Sequence, residues 1–326
     1  KTSINRKRYF CIMKALKIIY LVGMLFFMGC SNIGNNEINS TEVSSFWGMR
    51  YAITTELSYG EAPEQKLDVY SQGQRIGEPD YWLPDSINHP TLIYFHGGGW
   101  ISGEKESNTP DLIPYLERGW NIVNIEYRKG ENTAPQAVDD AMCAISWVAQ
   151  NASRFNIDLK NIVISGGSAG GHLALITGLL NAIPDSHDCY IGDQLDIKAI
   201  VNWFGITDIA KVENYLRSTK SQRLVYSNWN YAGLWIDGLE KVDSISELYS
   251  PVKKVTPEAP AIITIHGKLD TRVPYDQAVK LHDLLDEVGI KNELVSDPKG
   301  KHAGFSEKQF NHIYSRIFEF LNEVID

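Results

Sequence analysis

The chain has 326 residues, 43% of them hydrophobic and 11% aromatic, which is enough for one large domain with a sizeable core. Its formal net charge is −9; the first 29 residues hold six Lys/Arg and no Asp/Glu, so the remainder stands at 25 − 40 = −15. So acidic a protein is a poor partner for nucleic acid or an anionic membrane surface, and with no CxxC or HExxH pattern in it, neither a metal nor another cofactor is expected.

The N-terminal part differs in character from the rest. Met13-Lys14-Ala15-Leu16-Lys17 is a basic start, followed by an apolar run from Ile18 to Met28, 11 residues long. A bilayer-spanning helix needs about 20 residues, whereas the h-region of a signal peptide needs roughly 7 to 15. Phe27-Met28-Gly29-Cys30 resembles a bacterial lipobox, which makes Cys30 the expected site of lipid attachment and residues 1–29 a leader. Cleavage elsewhere is the alternative. Residues 30–45, rich in Asn and Ser, then form a flexible tether, and 46–326 the folded domain. The expected location is the bacterial cell envelope, periplasmic or surface, with membrane contact only through the anchor.

Strand and helix patterns alternate along the remainder. Tyr51 to Leu57 and Lys66 to Tyr70 read as an antiparallel edge. Strand runs follow at Thr91 to Phe95, Asn121 to Tyr127, Asn161 to Ser165, Ala199 to Phe204, Ala261 to His266 and Asn292 to Val295. Helical periodicity covers Pro135 to Ala152, Ala169 to Leu180, Tyr275 to Val288 and Glu307 to Val324. Alternating units of this kind predict an α/β fold, a mainly parallel sheet with helices on both faces. The segment from Ile209 to Val255 interrupts the rhythm and carries Tyr215, Tyr226, Trp229, Tyr231 and Trp235. It reads as an irregular lid whose aromatic rings either stack on substrate or anchor the insertion. Cys143, in a helix, and Cys189, in a loop, are expected as two buried thiols, with a disulfide as the alternative.

Four loops that follow strands carry chemistry. Gly166-Gly167-Ser168-Ala169-Gly170 stands between a strand and a helix, with small residues where the two must approach closely. A serine hydroxyl attacks an acyl carbon only with a base in reach and a group orienting that base. His302, in the loop Gly300-Lys301-His302-Ala303-Gly304-Phe305, is the base, and Asp270, past the strand that ends at His266, is the orienting carboxylate. Asp208 and Asp297 compete for the carboxylate role and His266 for the imidazole role; His96 and His172 read as packing residues. His96-Gly97-Gly98-Gly99-Trp100 supplies unshielded backbone N–H groups for an oxyanion hole, taken as Gly98, Gly99 and Ala169. Trp100, Trp203 and Trp235 are the candidate substrate-binding aromatics. All these loops lie beyond the carboxyl ends of their strands, where such sheets place their sites.

The order Ser, Asp, His and the segments Lys66 to Tyr70, His96 to Gly103, Glu126 to Arg128, Gly166 to Leu175, Asn202 to Asp208, His266 to Pro274 and His302 to Phe305 resemble the α/β-hydrolase superfamily. The likeness covers residues 50–326 and is nearest to the HGGGW carboxylesterases, of the feruloyl/acetyl-xylan esterase-like and kynurenine formamidase-like kinds. The third triad loop of such enzymes usually reads His-Gly-Phe; here it is His302-Ala303-Gly304-Phe305, one residue longer. The resemblance implies a serine carboxylic-ester hydrolase working through an acyl-enzyme on short-chain or feruloyl esters of polysaccharide. An amide hydrolase of formamidase or peptidase type uses the same triad, and a noncatalytic binding protein needs none of it. Oligomeric state is not written in these residues.

Overall fold

The computed structural model describes residues 51–76, 81–84, 86–183, 187–191, 194–218 and 230–325. The leader, Cys30, the tether, residues 46–50, Tyr226 and Trp229 lie outside them. All described residues belong to one compact unit, Arg50–Asp326.

The strands are β1 (Tyr51–Ser58), β2 (Lys66–Ile76), β3 (Tyr81–Pro84), β4 (His89–Phe95), β5 (Asn121–Ile125), β6 (Ile157–Gly167), β7 (Ile197–Trp203), β8 (Ala261–Gly267) and β9 (Asn292–Asp297). They form a sheet in the order β1-β2-β5-β4-β6-β7-β8-β9, with β3 paired to β2. β1, β2 and β5 pair antiparallel, and every pairing from β5 to β9 is parallel. This is the fold class read from the sequence.

Both faces of the sheet are covered, so its central strands are apolar at nearly every position. Alternation still sorts them. Ile93, Phe95, Ile162 and Ile164 face one core, packed by helices α2 (Ala134–Asn151) and α3 (Ala169–Asn181). Leu92, Tyr94, Val163 and Val201 face the other, packed by α1 (Thr109–Leu116) and α8 (Glu307–Leu321). Each such aliphatic side chain, once buried, contributes about 1.5–3 kcal/mol. α8 opens on a capping box, with Ser306 and Gln309 satisfying each other's backbone N–H groups, and its first turn follows directly on the His302 loop.

Two expectations are corrected. Cys143 on α2 and Cys189 are joined in a disulfide, their Cα atoms 5.0 Å apart, rather than standing as separate thiols. Residues 46 apart meet because the chain after α3 folds back onto α2, a proximity no local pattern reports. The described part of the insertion is largely helical rather than irregular. It carries α4 (Ile209–Ser218), α5 (Tyr231–Ile236) and α6 (Val242–Tyr249), with α7 (Asp276–Val288) following β8. Ile209, Val212, Trp235 and Ile245 turn its apolar side inward onto the core shared with α2 and α3.

Candidate active site

Ser168 occupies the single residue between β6 and α3 at φ +58° and ψ −118°, a conformation that L-residues seldom adopt. The turn is possible because its neighbours lack side chains. A Cβ on Gly170 would lie 2.0 Å from the carbonyl oxygen of Phe95, and one on Gly166 would lie 2.4 Å from Gly170 itself. The Ser168 N–H donates to the Trp203 carbonyl at 2.8 Å, fixing the elbow to the end of β7.

His302 Nε2 lies 3.0 Å from Ser168 Oγ, and His302 Nδ1 lies 2.7 Å from Asp270 Oδ2. A carboxylate only accepts, so Nδ1 carries the proton and Nε2 offers its lone pair to the serine hydroxyl. In the His302 loop Gly304 takes a φ of +87°. Asp208 and Asp297 are elsewhere: Asp208 Oδ1 accepts the Lys211 N–H at the start of α4, and Asp297 accepts from Lys299 N–H and from Gln309.

Asp270 is buried and fully engaged. Its Oδ1 accepts from the N–H groups of Arg272 (2.8 Å) and Val273 (3.0 Å). Its Oδ2 faces His302 and, at 3.2 Å, Nε2 of the wholly buried His266, which also donates to the Val273 carbonyl at 3.0 Å. Burial pushes the Asp270 carboxyl up; the imidazoles of His266 and His302 and the Val273 N–H outweigh it and hold the group well below the usual carboxylate range. His266 therefore braces the acid rather than replacing His302.

The glycine loop after β4 bends over the elbow. Gly98, Gly99 and Trp100 take φ values of +129°, +64° and +62°, and the N–H groups of Ile101 and Ser102 close back on the Gly98 carbonyl. Ala169 begins α3, so its N–H has no acceptor within the helix. The loop rests on a buried network. His96 stacks on Tyr127 and its Nε2 meets Glu126 at 2.9 Å, while Tyr127 Oη donates to the His96 carbonyl. Burial raises the Glu126 carboxyl, but His96 and Lys129 reverse this and lower it to about 2.

Beside Ser168 lies a cleft of about 210 Å³. Trp203, Phe204, Phe305 and Phe310 line it, together with Tyr94, Asn108 and Asp111. Of the three tryptophans singled out from sequence, only Trp203 is in this wall. Trp100 and Trp235 are fully buried and stacked on each other with centroids 4.2 Å apart, which corrects their reading as substrate contacts. His172 is a packing residue between them and α6, as read. Its Nδ1 accepts the Trp100 indole N–H and its Nε2 donates to the Tyr249 carbonyl, and burial lowers its pKa to about 4. Among the described residues, none of those lining the cleft comes from the insertion. Phe305 was visible in the His302 segment; Asn108 and Asp111 carry no sequence signal beyond a helix start.

The family model described as BD-FAE matches residues 80–285. The chain is 28% identical over 285 residues to the probable carboxylic ester hydrolase LipM of Mycobacterium tuberculosis, covering 84% of this chain and 62% of that protein. It is 27% identical over 249 residues to the isoprenylcysteine alpha-carbonyl methylesterase ICME of Arabidopsis thaliana, covering 74% and 55%. The chain thus spans between 58% and 62% of the length of LipM, LipC and LipQ, three of the mycobacterial relatives it matches. Among solved structures, a bifunctional GH43-CE protein of Bacteroides eggerthii superposes with a TM-score of 0.64 at 25% identity, over 82% of this chain and 38% of that one. A truncated carbohydrate esterase from gut microbiota shares the fold, with a TM-score of 0.64 at 23% identity over 84% and 98% of the two chains.

Proposed function

The chain belongs to the BD-FAE family, and from that premise we propose that it is a serine-dependent carboxylic ester hydrolase working through an acyl-enzyme. One observation carries the reading: the relay in which Ser168 Oγ, His302 and Asp270 stand in line at 3.0 and 2.7 Å. His302 Nε2 takes the hydroxyl proton as Oγ adds to the ester carbonyl carbon. The negative charge that develops on the carbonyl oxygen is met by the N–H of Ala169 and those of Gly98 and Gly99. His302 then gives its proton to the departing alcohol, leaving the acyl group on Ser168. Water, deprotonated by the same imidazole, releases the acid and restores the serine. Asp270 holds the imidazole in the required tautomer throughout.

The substrate reading is a short-chain or feruloyl ester of polysaccharide. The aromatic wall of Trp203, Phe305 and Phe310 supports it, since such rings stack on sugar and phenolic faces alike. So do the names of two structural relatives, a GH43-CE protein and a carbohydrate esterase. The family model and the curated relatives named as esterases favour ester over amide cleavage. We also propose export and lipid attachment at Cys30, on the strength of the basic start, the apolar run and the Gly29-Cys30 pair.

The deciding experiment measures p-nitrophenyl acetate, acetylated xylan and N-formylkynurenine side by side with wild type and Ser168→Ala. The reading requires ester turnover that the substitution lowers on the order of 10⁶-fold. Equal rates end it, and faster cleavage of the formamide replaces it. For the anchor, Cys30→Ala should move the protein from the membrane fraction to the soluble one.

A further inference from the structure

One carboxylate in the cleft is unexplained by the relay. Asp111 lies in the first turn of α1 and lines the same cleft as Ser168. Its backbone carbonyl accepts from Tyr314 Oη at 2.8 Å, which fixes α1 against α8. Its Oδ2 accepts from the amide of Asn108 at 3.0 Å, and Asn108 lines the cleft too. Among the described residues no Lys, Arg or His pairs with Asp111; burial pushes its carboxyl up and only the neutral Asn108 opposes this. The hydroxyl-bearing Tyr94 and the rings of Trp203 and Phe310 line the same cleft. A carboxylate kept among aromatic rings with a single neutral donor costs stability. Such a cost at a cleft marks a group kept for a ligand.

We propose that Asn108 and Asp111 form a polar subsite that reads a hydroxyl group on the ester substrate. The inference rests on the esterase reading and deepens it. A carboxylate offers acceptors only, and Asn108, with one amide hydrogen committed to Asp111, keeps a second to donate. A hydroxyl is the complement of the pair, because it donates to Asp111 and accepts from Asn108. An anionic group is repelled by Asp111, and an ammonium group, which only donates, leaves the Asn108 hydrogen without a partner. The rings of Trp203 and Phe310 cover the apolar face of the group that bears the hydroxyl. The subsite thus selects hydroxylated, uncharged esters over apolar esters of the same size.

The test compares a methyl xylopyranoside carrying one acetyl group with cyclohexyl acetate, a ring of equal size without hydroxyls. The quantity read is the ratio of the two kcat/KM values in wild type, Asp111→Ala, Asp111→Asn and Asn108→Ala. Asp111→Ala should lower the ratio about tenfold or more, as expected for a hydrogen bond to a charged group. Asp111→Asn, which keeps an acceptor, should recover part of the loss, and Asn108→Ala should lower the ratio less. Should Asp111→Ala not fold, as judged by circular dichroism, the ratio in Asn108→Ala decides. An unchanged ratio, or an equal fall on both esters, overturns the subsite while leaving the esterase reading intact. A wild-type preference for acetylcholine over 3,3-dimethylbutyl acetate that Asp111→Ala abolishes overturns it in favour of a cation site. If neither ring ester is cleaved in a Ser168-dependent way, the esterase reading falls and the subsite with it.

Discussion

The indole N–H of Trp100 donates to Nδ1 of His172 across 3.2 Å, which fixes the neutral form of a histidine that has no exposed surface. The opposite nitrogen donates to the Tyr249 carbonyl, so an added proton at Nδ1 would face a donor. The pair joins the glycine loop, the serine helix and the insertion.

Stability should therefore fall with acid over a defined window. Burial depresses the folded pKa of His172 to about 4, against an unfolded imidazole near 6.5. Between those values the unfolded chain binds the proton and the folded one does not. The contribution is complete above about pH 6.5 and is lost as pH falls toward 4, by up to about 3 kcal/mol. Denaturant midpoints at pH 7 and pH 5 should separate in wild type and draw together in His172→Gln. An equal separation in both proteins would assign the acid sensitivity to other groups.

Asp270→Asn should leave the fold in place, because an amide oxygen still accepts the N–H groups of Arg272 and Val273. It no longer imposes the imidazole tautomer, and ester turnover should drop about 10⁴-fold. Since its neighbours hold the Asp270 carboxyl well below the usual range, the group stays ionised at any workable pH. Its titration should thus be absent from the acid limb of the wild-type rate profile, which a pH series of kcat/KM will check.

Gly170→Ala and Gly178→Ala place the same methyl group on the same helix with different outcomes. At Gly170 it meets the backbone oxygens of Phe95 and His96 at 2.0 and 2.5 Å, atoms that cannot yield without displacing β4. At Gly178 it meets the tip of the Ile200 side chain at 2.6 Å, the end of a side chain rather than a backbone atom. The first should cost about 3 kcal/mol or more and the second less. Thermal melts that rank them the other way would remove the argument from close approach.

Reducing the bond between Cys143 and Cys189 opens a loop of 46 residues. In the chain-entropy picture that costs about 4 kcal/mol. Chemical denaturation with and without dithiothreitol should show a loss of that order, and Cys143→Ser should show the same loss with no further effect of the reductant.

The sheet was legible because parallel strands buried on both faces must be apolar runs, and glycine and polar residues mark where Phe95, Ser165 and His266 end theirs. The relay was legible because Ser168, Asp270 and His302 each follow such a run, so topology alone places them on one edge. The cleft wall was not. Trp100 and Trp235 have the composition of a binding surface, yet they satisfy each other by stacking, and sequence does not distinguish a ring that meets a ligand from one that meets another ring. Asn108 and Asp111 follow the helix-start pattern and do other work. Cys143 and Cys189 needed the return path of the chain after α3.

His302, Phe305 and Phe310 occupy one short stretch between β9 and the first turns of α8. The proposed base and two of the rings that border the cleft therefore travel on the same ribbon of polypeptide. An exchange of residues 302–310 replaces the imidazole and part of the cleft wall together, while Ser168 and Asp270 stay behind on the scaffold. Diversification of such a scaffold has its natural lever at the C-terminal end of the chain, in a piece small enough to be swapped whole.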